Sequence, residues 1–138
     1  MRINGHGHIL PEPSQIPKFL KDKRLFWIDE DKKFMRQGEW SRPINGSGFF
    51  LKEKIEWMKL NNIDHAVMLC LSQLYCNGWG KQDCADAIRF QNDFNASIQS
   101  DYPQKFTCEI LQINIRFHFT LGTPSTRVIT PRTICINT

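Results

Sequence analysis

No stretch of this 138-residue chain approaches the roughly 18 uninterrupted apolar residues of a membrane span. The opening Met-Arg-Ile-Asn-Gly-His carries no apolar segment of the kind a secretory leader needs. Neither a membrane partner nor secretion is therefore expected. A Cys-x-x-Cys pair is also lacking. The five cysteines, Cys70, Cys76, Cys84, Cys108 and Cys135, form an odd set. That pattern points to reduced thiols in a cytoplasmic protein rather than to a disulfide framework. Cys76 and Cys84 have metal-binding side chains, but their spacing fits no zinc module.

Acidic residues are missing after Glu109, and lysine after Lys105. Residues 1–109 hold all 14 acids and 15 of the 18 Lys and Arg and are nearly neutral, so most of the net charge of +4 comes from Arg116, Arg127 and Arg132 in the tail. No basic stripe interleaved with aromatics emerges, and nucleic acid is not expected as a partner. Threonine is scarce before residue 109 (only Thr107) and then occurs six times in the final 29 residues. The stretch from Leu121 to Thr138, broken by Pro124 and Pro131, has neither helical nor strand periodicity. Residues 110–138 are thus set apart from 1–109 as an anomalous Thr-rich tail. They are an authentic extension or a segment read out of frame or disordered, and the composition break favours the latter.

What the chain does have is a soluble globular composition, 41% apolar and 23% charged, and a length sufficient for one domain with a real core. Its most informative feature is the run Ile3-Asn4-Gly5-His6-Gly7-His8. Side chains two positions apart on a strand share a face. His6 and His8 are therefore a ready half of a divalent-metal site, with Gly5 and Gly7 leaving room around them; two loop-edge histidines that bind no metal are the alternative and, on the residues alone, the commoner case.

The pattern predicts a strand from Arg2 to Gly5, then a loop enforced by Pro11, Pro13 and Pro17. Leu25–Ile28 and Lys33–Arg36 flank a charged turn as a hairpin, and 38–48 reads as loop. Leu51, Ile55 and Met58 predict a helix over 49–61. The apolar run Ala66–Leu71 suits a strand buried on both faces. Asp83 is the expected N-cap of a second helix carrying Ala87, Phe90, Phe94 and Ile98, and Lys105–Cys108 begins a third strand. This βα alternation is the signature of a parallel α/β sheet or barrel.

At this point three segments resemble, in order, the amidohydrolase-related family that includes aminocarboxymuconate-semialdehyde decarboxylase. They are Ile3-Asn-Gly-His-Gly-His-Ile-Leu-Pro11; Lys54 through Met68, with Asn62 where the family usually has Gly; and Gln91-Asn-Asp-Phe94 followed by Tyr102-Pro-Gln-Lys-Phe106. The similarity spans residues 2–108 and stops where the composition changes. It implies the N-terminal portion of a (β/α)8 TIM barrel, truncated and unable to close, with an insertion at about 9–48. It also implies that His6 and His8 descend from a metal site, usually zinc, whose other ligands (a His from the fifth strand and an Asp from the eighth) are not matched here. The implied chemistry is hydrolysis or non-oxidative decarboxylation of a small carboxylated or cyclic substrate, with the fragment inactive alone.

Arg36 and Arg42, in the insertion, are candidates for meeting a substrate carboxylate, although solvated loop arginines are the commoner case. His118 matches no family motif, and His65 reads as a surface or capping residue. Trp27, Trp40, Phe34 and Phe26 read as packing. Ser72 and Cys76, just past the second strand, have no partner base and are given no nucleophilic role. Leu69, Leu71 and Ile110 are expected to expose apolar surface, giving a partly molten or self-associating product. The competing expectation is a small non-enzymatic α/β binding or interaction module with an authentic tail.

Overall fold

The computed structural model describes residues 1–45 and 48–111. The Thr-rich tail from Gln112 onward, with His118 and Cys135, lies outside the described residues. In chain order the elements are β1 (Ile3–Gly7), a 3-10 turn at Pro13–Gln15, α1 (Lys18–Asp22), β2 (Trp27–Ile28), β3 (Phe34–Gln37) and β4 (Trp40–Pro43). Then come α2 (Leu51–Leu60), β5 (His65–Met68), a second 3-10 turn at Ser72–Leu74, α3 (Lys81–Asp101) and β6 (Phe106–Cys108).

Three strands form a parallel sheet in the order β1-β5-β6, with α2 and α3 as crossovers, and β2-β3-β4 form a separate antiparallel sheet. The architecture is mixed α/β, and the described residues form no closed barrel.

The helix α2 stops in a Schellman arrangement. Asn62 takes a left-handed φ of 53°, Ile63 N–H donates to Met58 O at 2.8 Å, and Asn62 N–H to Lys59 O at 3.3 Å. Asparagine tolerates this conformation, so it serves where glycine is more usual. Met58 of α2 and Ile98 of α3 pack against Ala66, Met68 and Phe106 on one face of the parallel sheet. Along β5 burial alternates, with Ala66 and Met68 buried and His65 and Val67 only half-buried. The expected strand buried on both faces is thereby corrected: no described layer covers the second face.

Two further expectations are corrected. The helix α3 is capped by Gly80, whose carbonyl accepts Cys84 N–H at 2.9 Å, while Asp83 lies inside the first turn with its carboxylate 2.7 Å from Lys23 Nζ. Residues 38–48 are not all loop, because Gly38 at φ 56° and Glu39 make a two-residue turn that returns β4 onto β3. Pro43 is accommodated because it closes an edge strand.

A second core joins the two sheets. Phe26, Ile28 and Met35 of the insertion pack with Leu10, Leu71, Leu74 and Leu111, residues that follow the carboxyl ends of β1, β5 and β6. The antiparallel sheet therefore caps the carboxyl edge of the parallel one. Leu71, expected to be exposed, is only 4% accessible because this cap covers it, whereas Ile110 is 62% exposed. Among the described residues no helix is long and apolar enough to cross a membrane.

Candidate functional site

His6 ends up inside β1 and His8 one residue beyond it. Between Asn4, paired with Ala66, and Gly7, paired with Met68, β1 carries one extra residue, a bulge. A Cβ on Gly7 would lie 2.6 Å from Met68 Cε and 3.6 Å from Lys54 Nζ. Gly7 thus faces the helices, and its neighbours His6 and His8 turn to the opposite face. Their ring centroids are 5.2 Å apart with planes at 88°.

The two imidazoles are held differently. His8 is half-buried, and its Nδ1 lies 3.1 Å from the Leu69 carbonyl oxygen. A carbonyl only accepts, so Nδ1 carries the proton and Nε2 presents its lone pair outward. This is the arrangement that orients metal-ligating histidines. His6 is exposed, and its backbone N–H donates to Asn4 Oδ1 at 3.1 Å, fixing the bulge. Among the described residues no group of three or more His, Cys, Asp or Glu is placed to hold a metal ion. His6 and His8 are two nitrogen donors, fewer than the three or four protein ligands of a zinc site.

Beside His8 lies a small cavity of about 70 Å³ at the carboxyl edge of the parallel sheet. Its walls include His8, Ser72 and Gln73 from the parallel-sheet unit, and Met35, Arg42 and Phe49 from the insertion. Register explains Arg42: it pairs with Met35, whose side chain points into the inter-sheet core, so both share the inward face of the antiparallel sheet. Gln37, on the same face, donates from Nε2 to Gln73 O at 2.8 Å and locks the two walls together.

The two candidate arginines separate. Arg36 grips Asp29 with two nitrogens at 2.7–2.9 Å and is already neutralised; the Asp29 hydrogen bond raises its pKa. Its guanidinium is thus already engaged within the insertion. Arg42 has no ion-pair partner among the described residues. Ser72 shares the cavity with His8, but no hydrogen bond joins them.

His65 bridges the sheet instead, with Nδ1 3.0 Å from Gln104 O and Nε2 2.9 Å from Thr107 Oγ1. Phe26 is fully buried as packing, while Trp40 is 43% exposed. Burial pushes the Cys76 thiol above its ordinary range, and its Sγ faces the Leu74 and Cys84 backbone carbonyls, so no activating base adjoins it among the described residues.

One polar cluster escaped the sequence reading. Gln91 and Asn95 are buried on α3, where Gln91 Oε1 accepts Leu71 N–H at 3.3 Å and Asn95 Nδ2 donates to Glu109 O at 2.8 Å. Asn92 pairs with both backbone groups of Leu111 at 2.8 and 2.9 Å. These amides pin the segments leaving β5 and β6, and so hold the cavity wall. The signal was present: Gln91 and Asn95 continue the Ala87 row of α3 at steps of four. Beside them, burial and Glu109 push the Cys70 thiol up to about 12.

No family model matches the chain, and no curated protein matches it.

Proposed function

We propose that the chain is the N-terminal part of a metal-dependent amidohydrolase-type enzyme, built as the opening units of a (β/α)8 barrel, in which His6 and His8 supply two of the metal ligands. The observation that carries this reading is the pair of imidazoles held 5.2 Å apart at the carboxyl edge of a sequentially ordered parallel sheet. That edge is where enzymes of parallel α/β folds keep their reaction centres. A divalent ion, zinc by the family resemblance, would supply Lewis acidity and a water of lowered pKa when bound in the completed site.

The chain's own residues contribute orientation and charge. His8 is held in one tautomer by Leu69 O, and Arg42, with no ion-pair partner among the described residues, offers its guanidinium to an anionic group beside it. This suits a small carboxylated substrate, with hydrolysis or loss of carbon dioxide as the reaction. The fragment, with two ligands, is inactive alone. A cytoplasmic setting fits the four free thiols of the described residues.

The test is the gene beyond codon 109 together with metal analysis. Further βα units in another frame, carrying a later His and Asp, support the reading. Their absence, with no zinc or cobalt retained by purified protein, overturns it in favour of a non-enzymatic α/β binding module.

A further inference from the structure

Cys76 and Cys84 are both buried and free, and the Cys76 thiol packs against Cys84. Cys76 Sγ also lies 3.6 Å from Cys84 O and donates to Leu74 O at 3.2 Å. The segment between them is a tight loop with left-handed residues at Cys76 (φ 62°) and Gly78 (φ 76°), and Cys84 lies in the opening turns of α3. With the Cys76 sulfur already against the Cys84 backbone, a local shift of this short loop and the first turn of α3 is enough to bring the two sulfurs together.

We propose that Cys76 and Cys84 form a redox-responsive dithiol, oxidised to a cystine by a low-molecular-weight disulfide such as glutathione disulfide. One cysteine thiolate attacks a glutathione sulfur, forms a mixed disulfide and releases one glutathione thiolate. The second cysteine thiolate then attacks the protein sulfur of that mixed disulfide and releases the second glutathione. Two electrons pass to glutathione disulfide, and the two thiol protons end on the two glutathione thiols. Burial makes the exchange slow, because the thiolate must form while the loop is open.

Oxidation removes the S–H that Leu74 O now accepts. Leu74 belongs to the 3-10 turn whose Ser72 and Gln73 wall the cavity beside His8. The redox state of the pair therefore reaches the cavity wall through one hydrogen bond. This inference stands apart from the metal reading, since it uses neither histidine.

The experiment equilibrates the full chain in glutathione buffers of increasing oxidised fraction, from both reduced and oxidised starting material. Acid quenching, alkylation and peptide mapping follow. The expected result is one cross-linked Cys76–Cys84 peptide, two hydrogens lighter than the dithiol, and a melting temperature roughly 5 °C higher in the oxidised chain. Cys84→Ser is expected to abolish both, while Cys108→Ser leaves both unchanged. Full alkylation of Cys76 and Cys84 at every ratio, or cross-links to other cysteines in their place, would overturn the proposal.

Discussion

His8 donates its Nδ1 proton to the carbonyl oxygen of Leu69, 3.1 Å away on the segment leaving the neighbouring parallel strand. A single backbone acceptor thus decides which ring nitrogen faces the cavity. His6 has no such restraint among the described residues, and its ring is free to turn toward a shared ion. Titration of the chain with Co(II), followed by calorimetry and visible absorption, is expected to show one weak site. Replacing either histidine by alanine is expected to weaken it roughly tenfold or more. Unchanged binding in both variants would remove the pair as ligands.

Gly7 separates the two histidines, and any side chain there meets Met68 Cε at 2.6 Å in a tightly packed core. Cε is the free end of a flexible thioether, so Met68 can turn aside at modest cost. Gly7→Ala is therefore expected to destabilise the chain by about 1 kcal/mol or less in urea unfolding. The double variant with Met68→Val is expected to recover part of that loss, since the obstructing methyl is gone. Full additivity of the two losses would show that the obstruction lies elsewhere.

Much of the parallel sheet was legible in the sequence, for identifiable reasons. Leu51, Ile55 and Met58 show helical spacing, and Ala66–Leu71 is an uninterrupted apolar run, so α2 and β5 announce themselves. The strand β4 was not legible. Trp40-Ser-Arg-Pro has no apolar alternation, and its existence depends on the turn at Gly38 and on pairing with β3. Likewise, nothing in the sequence distinguished Arg36 from Arg42. The difference is register: Arg42 stands opposite Met35 on the inward face, while Arg36 stands opposite Trp27 and reaches Asp29. Side-chain face is set by cross-strand pairing, which spacing alone does not reveal.

That difference in face gives a ligand test. Benzoate or acetate added to the chain is expected to shift the His8 imidazole resonances, because Arg42 lines the same cavity. Arg42→Ala is expected to weaken the effect roughly fivefold to tenfold, as loss of a charge-assisted hydrogen bond would. Arg36→Ala should leave it unchanged, since that guanidinium is held on Asp29. Equal responses from the two arginine variants would contradict the assignment.

Lys54 is only 8% exposed and has no carboxylate partner among the described residues; its ammonium lies 5.0 Å from the centre of the Trp57 ring. Burial lowers its pKa from the ordinary 10.5. The folded state therefore binds this proton less tightly than the unfolded state does. The resulting penalty is fully present below the folded pKa and is relieved as pH rises through it toward 10.5. Relative to wild type, Lys54→Met is expected to be more stable at pH 7 than at pH 10, read as the difference in melting temperature at each pH. A difference that does not change with pH would mean that the amine titrates normally.

Ile110 is 62% exposed and borders a shallow groove of about 260 Å³ between α3 and the edge of β6 that no strand among the described residues pairs, lined also by Ala96, Pro103 and Cys108. Isolated apolar residues on a surface are ordinary, but one contiguous with an apolar groove beside a strand edge is an association hazard. Gln99 partly protects that edge by accepting Cys108 N–H at 2.8 Å. Sedimentation is expected to show concentration-dependent association of the wild-type chain, decreased by Ile110→Lys and increased by Gln99→Ala. The two variants act on opposite sides of one balance, apolar attraction and backbone satisfaction. A chain that stays monomeric at all concentrations, in all three forms, would show that this edge does not drive association.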